Sequence, residues 1–307
     1  MLGKMLGDAS ARVRIASRPL GEELNRPGLA VNLPFAALVR ILDVSNPEQS
    51  QPHPMLRVEQ SGSVLTITLD RPERRNSQVP SLWSALAEVG AGLDPKVRVV
   101  VVRAEGPSFS AGLDRAMLTT QGAPGEPSVL ALAAGAGGAL EEAIAEFQRG
   151  FAIWAEVPAI TIAAVQGHAI GAGFQLALAC DLRVDADDVA FAMRETSLGL
   201  VPDLAGTSPL VRSVGYARAL EICATGRFVG AQEAVAIGLA SVAVPREDLD
   251  VAARDLADAI LQAPQAAVRE LKPLLRNAID ASPRDQLKAE REAQARLLTA
   301  MVQASGK

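Results

Sequence analysis

The segment Arg98–Arg103 sets four consecutive valines between two arginines. An unbroken β-branched run reads as a strand buried on both faces, since a strand with one wet face alternates apolar and polar residues. Such a strand needs covering layers above and below it, which points to an α/β architecture with a parallel sheet. Ala159–Val165 is a second run of this kind. Aromatic residues make up only 3% of the chain while 49% of it is apolar. The core is therefore filled by small aliphatic side chains, which suits closely packed layers.

The rest of the chain alternates in the same manner. Leu56–Gln60 and Val64–Leu69, split by Ser61-Gly62-Ser63, read as a β-hairpin. Helical spacing appears in Ser81–Leu93, in Leu140–Glu156 with Ile144, Phe147 and Phe151 on one side, and in the short apolar Ala172–Cys180. Leu182–Val184 and Ala190–Met193 read as short strands. Beyond Ala205 the pattern is mostly helical: Ser208–Thr225, Ala231–Ile237, Glu247–Leu261, Ala266–Ala278 and Pro283–Val302, with one short strand at Ala240–Val244. Thr119–Gly138 is rich in Gly, Ala and Pro without periodicity and predicts a mobile loop over a site. Residues 1–54 carry six prolines, among them 27, 34, 47, 52 and 54, and read as a weakly structured extension. Met55 opens the regular pattern and is a candidate physiological start. The division is thus an extension over 1–54, an α/β core over 55–245 and a helical region over 246–307.

Several function classes are disfavoured at once. A net charge of −5 gives no electrostatic case for nucleic acid or an anionic membrane, so neither is a predicted partner. Cys180 and Cys223 lie in apolar surroundings and read as free buried thiols. The two histidines, His53 and His168, sit in unrelated segments, and no His/Cys cluster has metal-ligand spacing. No apolar run is long enough to span a bilayer, and the N-terminus lacks a secretion pattern, which predicts a cytoplasmic protein.

Three segments carry chemistry. The first is Phe109-Ser110-Ala111-Gly112-Leu113-Asp114, following the valine strand, where small residues let the chain turn sharply and aim backbone N–H groups outward. The second is Gln166–Gln175, whose Gly171-Ala172-Gly173 joins a buried strand to a helix and presents unpaired N–H groups to an anion or an oxyanion. The third is Phe191–Asp203, with Glu195 and Asp203 eight positions apart beside Leu198, Leu200 and Val201. Apolar surroundings would raise a carboxylate's pKa towards a general base's working range.

In this order and spacing the three segments resemble the enoyl-CoA hydratase/isomerase (crotonase) family, from about Val58 to beyond Leu297, and Leu69–Ser77 looks like the family's coenzyme A contact segment. The resemblance implies a crotonase-like (ClpP/crotonase) α/β fold of ββα units with a helical C-terminal region, assembled as a trimer or a dimer of trimers. It implies an acyl-CoA thioester substrate, with coenzyme A as part of that substrate and no separate cofactor. Residue by residue, it makes the Leu113 and Ala172 backbone N–H groups the oxyanion donors, worth about 3–4 kcal/mol each. It makes Arg71, Arg74, Arg75, Ser110, Ala111, Gly112 and Asp114 candidate coenzyme A contacts, with Lys272 and Arg276 as further cations on a late helix.

The acid/base positions depart from the family pattern. Hydratases of the family use two glutamates, and the first of these positions holds Gln175, which cannot take a proton from water. Glu195 occupies the second. Asp203 stands where the family's dienoyl-CoA isomerases carry a carboxylate. The reading adopted is double-bond isomerisation of an enoyl- or dienoyl-CoA by Glu195 and Asp203. Hydration of a 2-enoyl-CoA and a non-catalytic coenzyme A binder remain as alternatives. Two other classes compete less well: a serine hydrolase built on Ser110 and His168, which lacks a G-x-S-x-G elbow, and a nicotinamide dehydrogenase, whose third glycine would fall at Leu176.

Overall fold

The computed structural model describes residues 51–126, 128–135 and 139–305. The four valines lie in β3 (Val99–Ala104), inside a six-stranded sheet with β1 (Leu56–Ser61), β2 (Val64–Leu69), β4 (Ile160–Val165), β6 (Leu182–Ala186) and β9 (Val242–Val244). The strand order is β1-β2-β3-β4-β6-β9. Only β1 runs antiparallel to its neighbour; the β1–β2 hairpin closes with Ser61 opposite Val64, and β2 to β9 are parallel.

Strand alternation explains the double burial. Val100 and Val102 face a large core with Leu82 and Leu86 of α1 (Pro80–Ala91), Phe151 and Trp154 of α3 (Ala139–Glu156) and Phe174 of α4 (Ala172–Ala179). Val99 and Val101 face the opposite side, where Leu249, Ala253 and Ala257 of α8 (Leu249–Gln262) cover them. Each fully buried valine contributes about 1.5–3 kcal/mol relative to an exposed one.

A second, three-stranded sheet joins β5 (His168–Ile170), β7 (Ala190–Ala192) and β8 (Val229–Gly230); β7 matches the strand read over Ala190–Met193, while β5 and β8 were not legible in the sequence. Those two strands are three and two residues long, too short to show a period. The single helix read over 208–225 is two, α5 (Thr207–Val214) and α6 (Tyr216–Thr225), because Gly215 turns the chain at φ +78°. Helix α7 (Ala231–Ala236) leads to β9. Of the stretch read as a mobile loop, 119–138, the described part holds helix α2 (Val129–Ala133), capped by Ser128. It also holds Glu126, which accepts the Ser81 backbone N–H at 3.3 Å at the start of α1.

The C-terminal helices are α9 (Gln265–Asn277) and α10 (Pro283–Ser305). Lys272, 7% exposed, docks α9 by pairing with Asp181 at 2.8 Å and donating to the carbonyls of Trp154 and Ala159. Arg276 donates to the Ala155 carbonyl beside it. Both cations thus cap the carboxyl end of α3, where the helix dipole favours positive charge. Within this chain Lys272 is engaged in structure, and Arg276 gives one of its donors to it. Residues 1–50 of the predicted extension lie outside the described residues. Just before Met55, His53 lies with Nε2 2.9 Å from the Ser81 hydroxyl and accepts the Met55 N–H at Nδ1. No helix among the described residues is long and apolar enough to cross a membrane.

Candidate active site

The two turns read separately in the sequence are zipped together. Phe109 N–H donates to Gln166 O (2.8 Å), Ser110 N–H to His168 O (2.9 Å) and Ile170 N–H to Ser110 O (3.0 Å). On its other side the first turn pairs with Gln78, which donates to Gly112 O and accepts from Asp114 N–H, both at 2.8 Å. Gly112 has φ +86°, and a Cβ there would stand 2.5 Å from Ile170 O and 3.5 Å from Ala172 N. Only glycine permits this approach, which sets Gly112 against the Ile170 carbonyl, two residues before Ala172.

At that contact, neither the Leu113 nor the Ala172 N–H has a hydrogen-bond acceptor among the described residues. The amides around Leu113 are taken, Gly112 by Ser110 Oγ at 3.2 Å and Asp114 by Gln78. Ala172 opens α4, where the first N–H groups lack intrahelical partners. Free donors on adjoining turns are the equipment for holding a developing negative oxygen.

The third segment closes on the same place. The Glu195 carboxylate lies against Gly171, where a Cβ would come within 3.2 Å of Oε1. Gly171 has φ +53° and immediately precedes the Ala172 donor, so a side chain there would be strained and would press on the carboxylate. Gln175, 1% exposed, donates from Nε2 to Glu195 Oε1 at 2.7 Å and accepts at Oε1 from Leu204 N–H (2.8 Å) and Gly206 N–H (3.3 Å). Glu195 Oε2 is buried and unpartnered. Burial raises the Glu195 pKa and repulsion from Asp203 adds to it, while the Gln175 bond opposes the rise. Burial raises Asp203 as well. Both carboxylates are thus poorly solvated, and the charge of Asp203 opposes ionisation of Glu195.

The family model for enoyl-CoA hydratase/isomerase matches residues 59–306. The chain belongs to the enoyl-CoA hydratase/isomerase family. A crystal structure of a proposed enoyl-CoA hydratase from Thermobifida fusca YX superposes with TM-score 0.78 at 43% identity, covering 81% of this chain and 95% of that one. The same protein has been solved in complex with acetoacetyl-CoA, at TM-score 0.78 and 43% identity over 80% of this chain and 95% of that one. Carnitinyl-CoA dehydratase of Escherichia coli (strain K12) is 35% identical over 228 residues, 72% of this chain and 80% of its own length. The fold is the crotonase fold.

The predicted coenzyme A contacts divide into two groups. Arg71 pairs with Asp114 at 2.9 Å and reaches the Ser77 hydroxyl at 3.3 Å. Burial raises Asp114, but bonds from the Ala116 amide and Arg71 hold its pKa below the ordinary range. This pair ties the 70–77 turn to the oxyanion turn. Ser110 is fully buried, donating to Asn76 O at 2.7 Å and accepting from Gln78 and Gly112, so its hydroxyl shapes the turn. Ala111 donates its N–H to Arg75 O at 2.8 Å. The Arg74 and Arg75 side chains, in contrast, are exposed and have no partner among the described residues.

The competing hydrolase reading loses its residues here. His168 is exposed with its ring against Phe228, while the Ser110 proton is committed to a carbonyl, so no Ser–His pair forms. Of the two acids that could serve a dehydrogenase's ribose, Asp185 is fully buried in β6 and Asp187 is exposed just beyond it, so only the Leu176 departure from the glycine pattern counts against both. One participant went unread in the sequence: Gln148, on α3, donates from Nε2 to Asp203 O at 2.7 Å. A polar residue on the margin of a helix's apolar face carries no signal by itself.

Proposed function

We propose that this protein isomerises the double bond of an enoyl- or dienoyl-CoA, with Glu195 and Asp203 as the proton-transferring pair. The thioester oxygen accepts the Leu113 and Ala172 N–H groups. Glu195 Oε2, beside the residue preceding Ala172, takes a proton from the α-carbon. For a 3-enoyl-CoA the C–H electrons pass into a dienolate whose charge rests on the thioester oxygen. Protonated Asp203 then delivers its proton to the γ-carbon, leaving the double bond between the α- and β-carbons. Glu195 ends protonated and Asp203 ionised, and exchange with solvent resets them. Substrate mass is unchanged.

The observation that carries this reading is the buried, unpartnered Glu195 Oε2 next to Gly171, with Asp203 close enough to repel it. Gln175 supports it, because its amide oxygen is engaged by two backbone donors and its nitrogen by Glu195. Arg74 and Arg75 are offered as contacts for coenzyme A phosphates, since guanidinium forks match phosphate oxygens. Exposed apolar residues on α6, α9 and α10, among them Tyr216, Leu275, Met301 and Val302, support assembly with further copies as a trimer or a dimer of trimers.

Hydration of a 2-enoyl-CoA is the second reading, favoured by the names of the T. fusca and E. coli relatives. Incubation with 2-enoyl-, 3-enoyl- and dienoyl-CoA, with products identified by mass and NMR, separates the two. A product heavier by one water from the 2-enoyl substrate, with no isomerisation of the others, overturns the isomerase reading.

A further inference from the structure

Asp203 O and Leu204 N–H belong to one peptide group, and two glutamine side chains grip that group from opposite ends. Gln148, on α3, donates from Nε2 to Asp203 O at 2.7 Å. Gln175, on α4, accepts from Leu204 N–H at Oε1, 2.8 Å away. Because a peptide group is planar and stiff, fixing its oxygen and its hydrogen together fixes the plane's orientation. The Asp203 side chain springs from the Cα at one edge of that plane. The next residue, Ala205, sits at φ +62°, a left-handed conformation uncommon for a residue with a Cβ. This turn brings Gly206 N–H onto the same Gln175 oxygen at 3.3 Å. Local preference therefore does not hold the 203–206 turn in place; the surrounding hydrogen bonds do.

We propose that Gln148 and Gln175 act as a clamp that orients Asp203 against Glu195. Gln175 sets the separation of the two carboxylates by touching both segments, through Nε2 to Glu195 and through Oε1 to the Asp203–Leu204 peptide. Gln148 is a positioning residue whose effect on the reaction passes through Asp203. This rests on the reading of Asp203 as the group that protonates the γ-carbon.

The test follows deuterium incorporation into a 3-enoyl-CoA in D₂O by NMR, which reports the α- and γ-positions separately. Gln148→Leu removes the donor, and Gln148→Glu keeps the size while offering an acceptor to the Asp203 carbonyl. Both variants should slow γ-labelling by about tenfold or more, with α-labelling and the KM for the thioester close to wild type. In an Asp203→Asn background the further substitution Gln148→Leu should change γ-labelling little, because the positioned group is already gone. If Asp203→Asn alone leaves γ-labelling intact, the assignment of Asp203 fails and takes the clamp with it. If Asp203→Asn stops γ-labelling but both Gln148 variants match wild type, the clamp alone fails. Equal loss at both positions, or a full Gln148→Leu effect without Asp203, makes Gln148 a general structural residue and overturns the clamp.

Discussion

Replacing Glu195 by glutamine removes a base while leaving its surroundings nearly intact. The new amide can keep its oxygen on Gln175 Nε2, where the wild-type contact is 2.7 Å. Its NH₂ then fills the position of Oε2, which has no protein partner to offend. What is lost is proton abstraction, for which a positioned general base contributes about 10²–10⁴-fold, or roughly 3–5 kcal/mol of transition-state stabilisation. α-Proton exchange of an acyl-CoA in D₂O should fall by that factor while coenzyme A affinity, measured by calorimetry, stays constant. The pH profile supplies a second arm. Burial raises the Glu195 pKa, so the wild-type rate should drop as pH falls through a range above that of an ordinary glutamate, and the limb should vanish in the variant. Exchange at the wild-type rate in Glu195→Gln would refute the assignment of this carboxylate.

Three further outcomes are expected. Ala172→Pro deletes the proposed donor at the first position of α4, where proline is tolerated, so the protein should fold while kcat drops about 10²–10³-fold; undiminished turnover removes Ala172 from the oxyanion site. Arg74→Ala combined with Arg75→Ala should raise the KM for acyl-CoA by roughly tenfold and weaken its salt dependence without changing kcat, read by steady-state kinetics at two ionic strengths. Asp185 is fully buried with neither oxygen partnered, and burial pushes its pKa from 3.8 up to about 7. The unfolded chain ionises this group first, so stability should decline as pH rises from about 4 to 7 and then level off, a total of roughly 4 kcal/mol at most. Asp185→Asn should flatten that slope in urea titrations at pH 5 and pH 8, and an unchanged slope would mean the carboxyl is solvated or paired.

The sequence by itself determined the layered α/β core. The valine run of β3 and the Ala159–Val165 run can only be interior strands, and burial on both faces by α1, α3 and α8 follows from that composition. It also marked Gly112, Gly171, Glu195 and Asp203, because glycines at turns and carboxylates among apolar residues stand out against their neighbours. Tertiary structure decided how they are used. The approach of Gly112 to the Ile170 carbonyl joins distant parts of the chain, and no local pattern encodes it. Arg71 and Arg74 lie in one turn with the same side chain, yet one is consumed by Asp114 and the other faces solvent. Gln175 differs from a water-holding amide only through the partners that Glu195, Leu204 and Gly206 bring to it. Periodicity reports which face of an element is buried. What that face meets depends on chain segments brought together by folding, and hydrogen bonds over those distances are properties of the assembled layers.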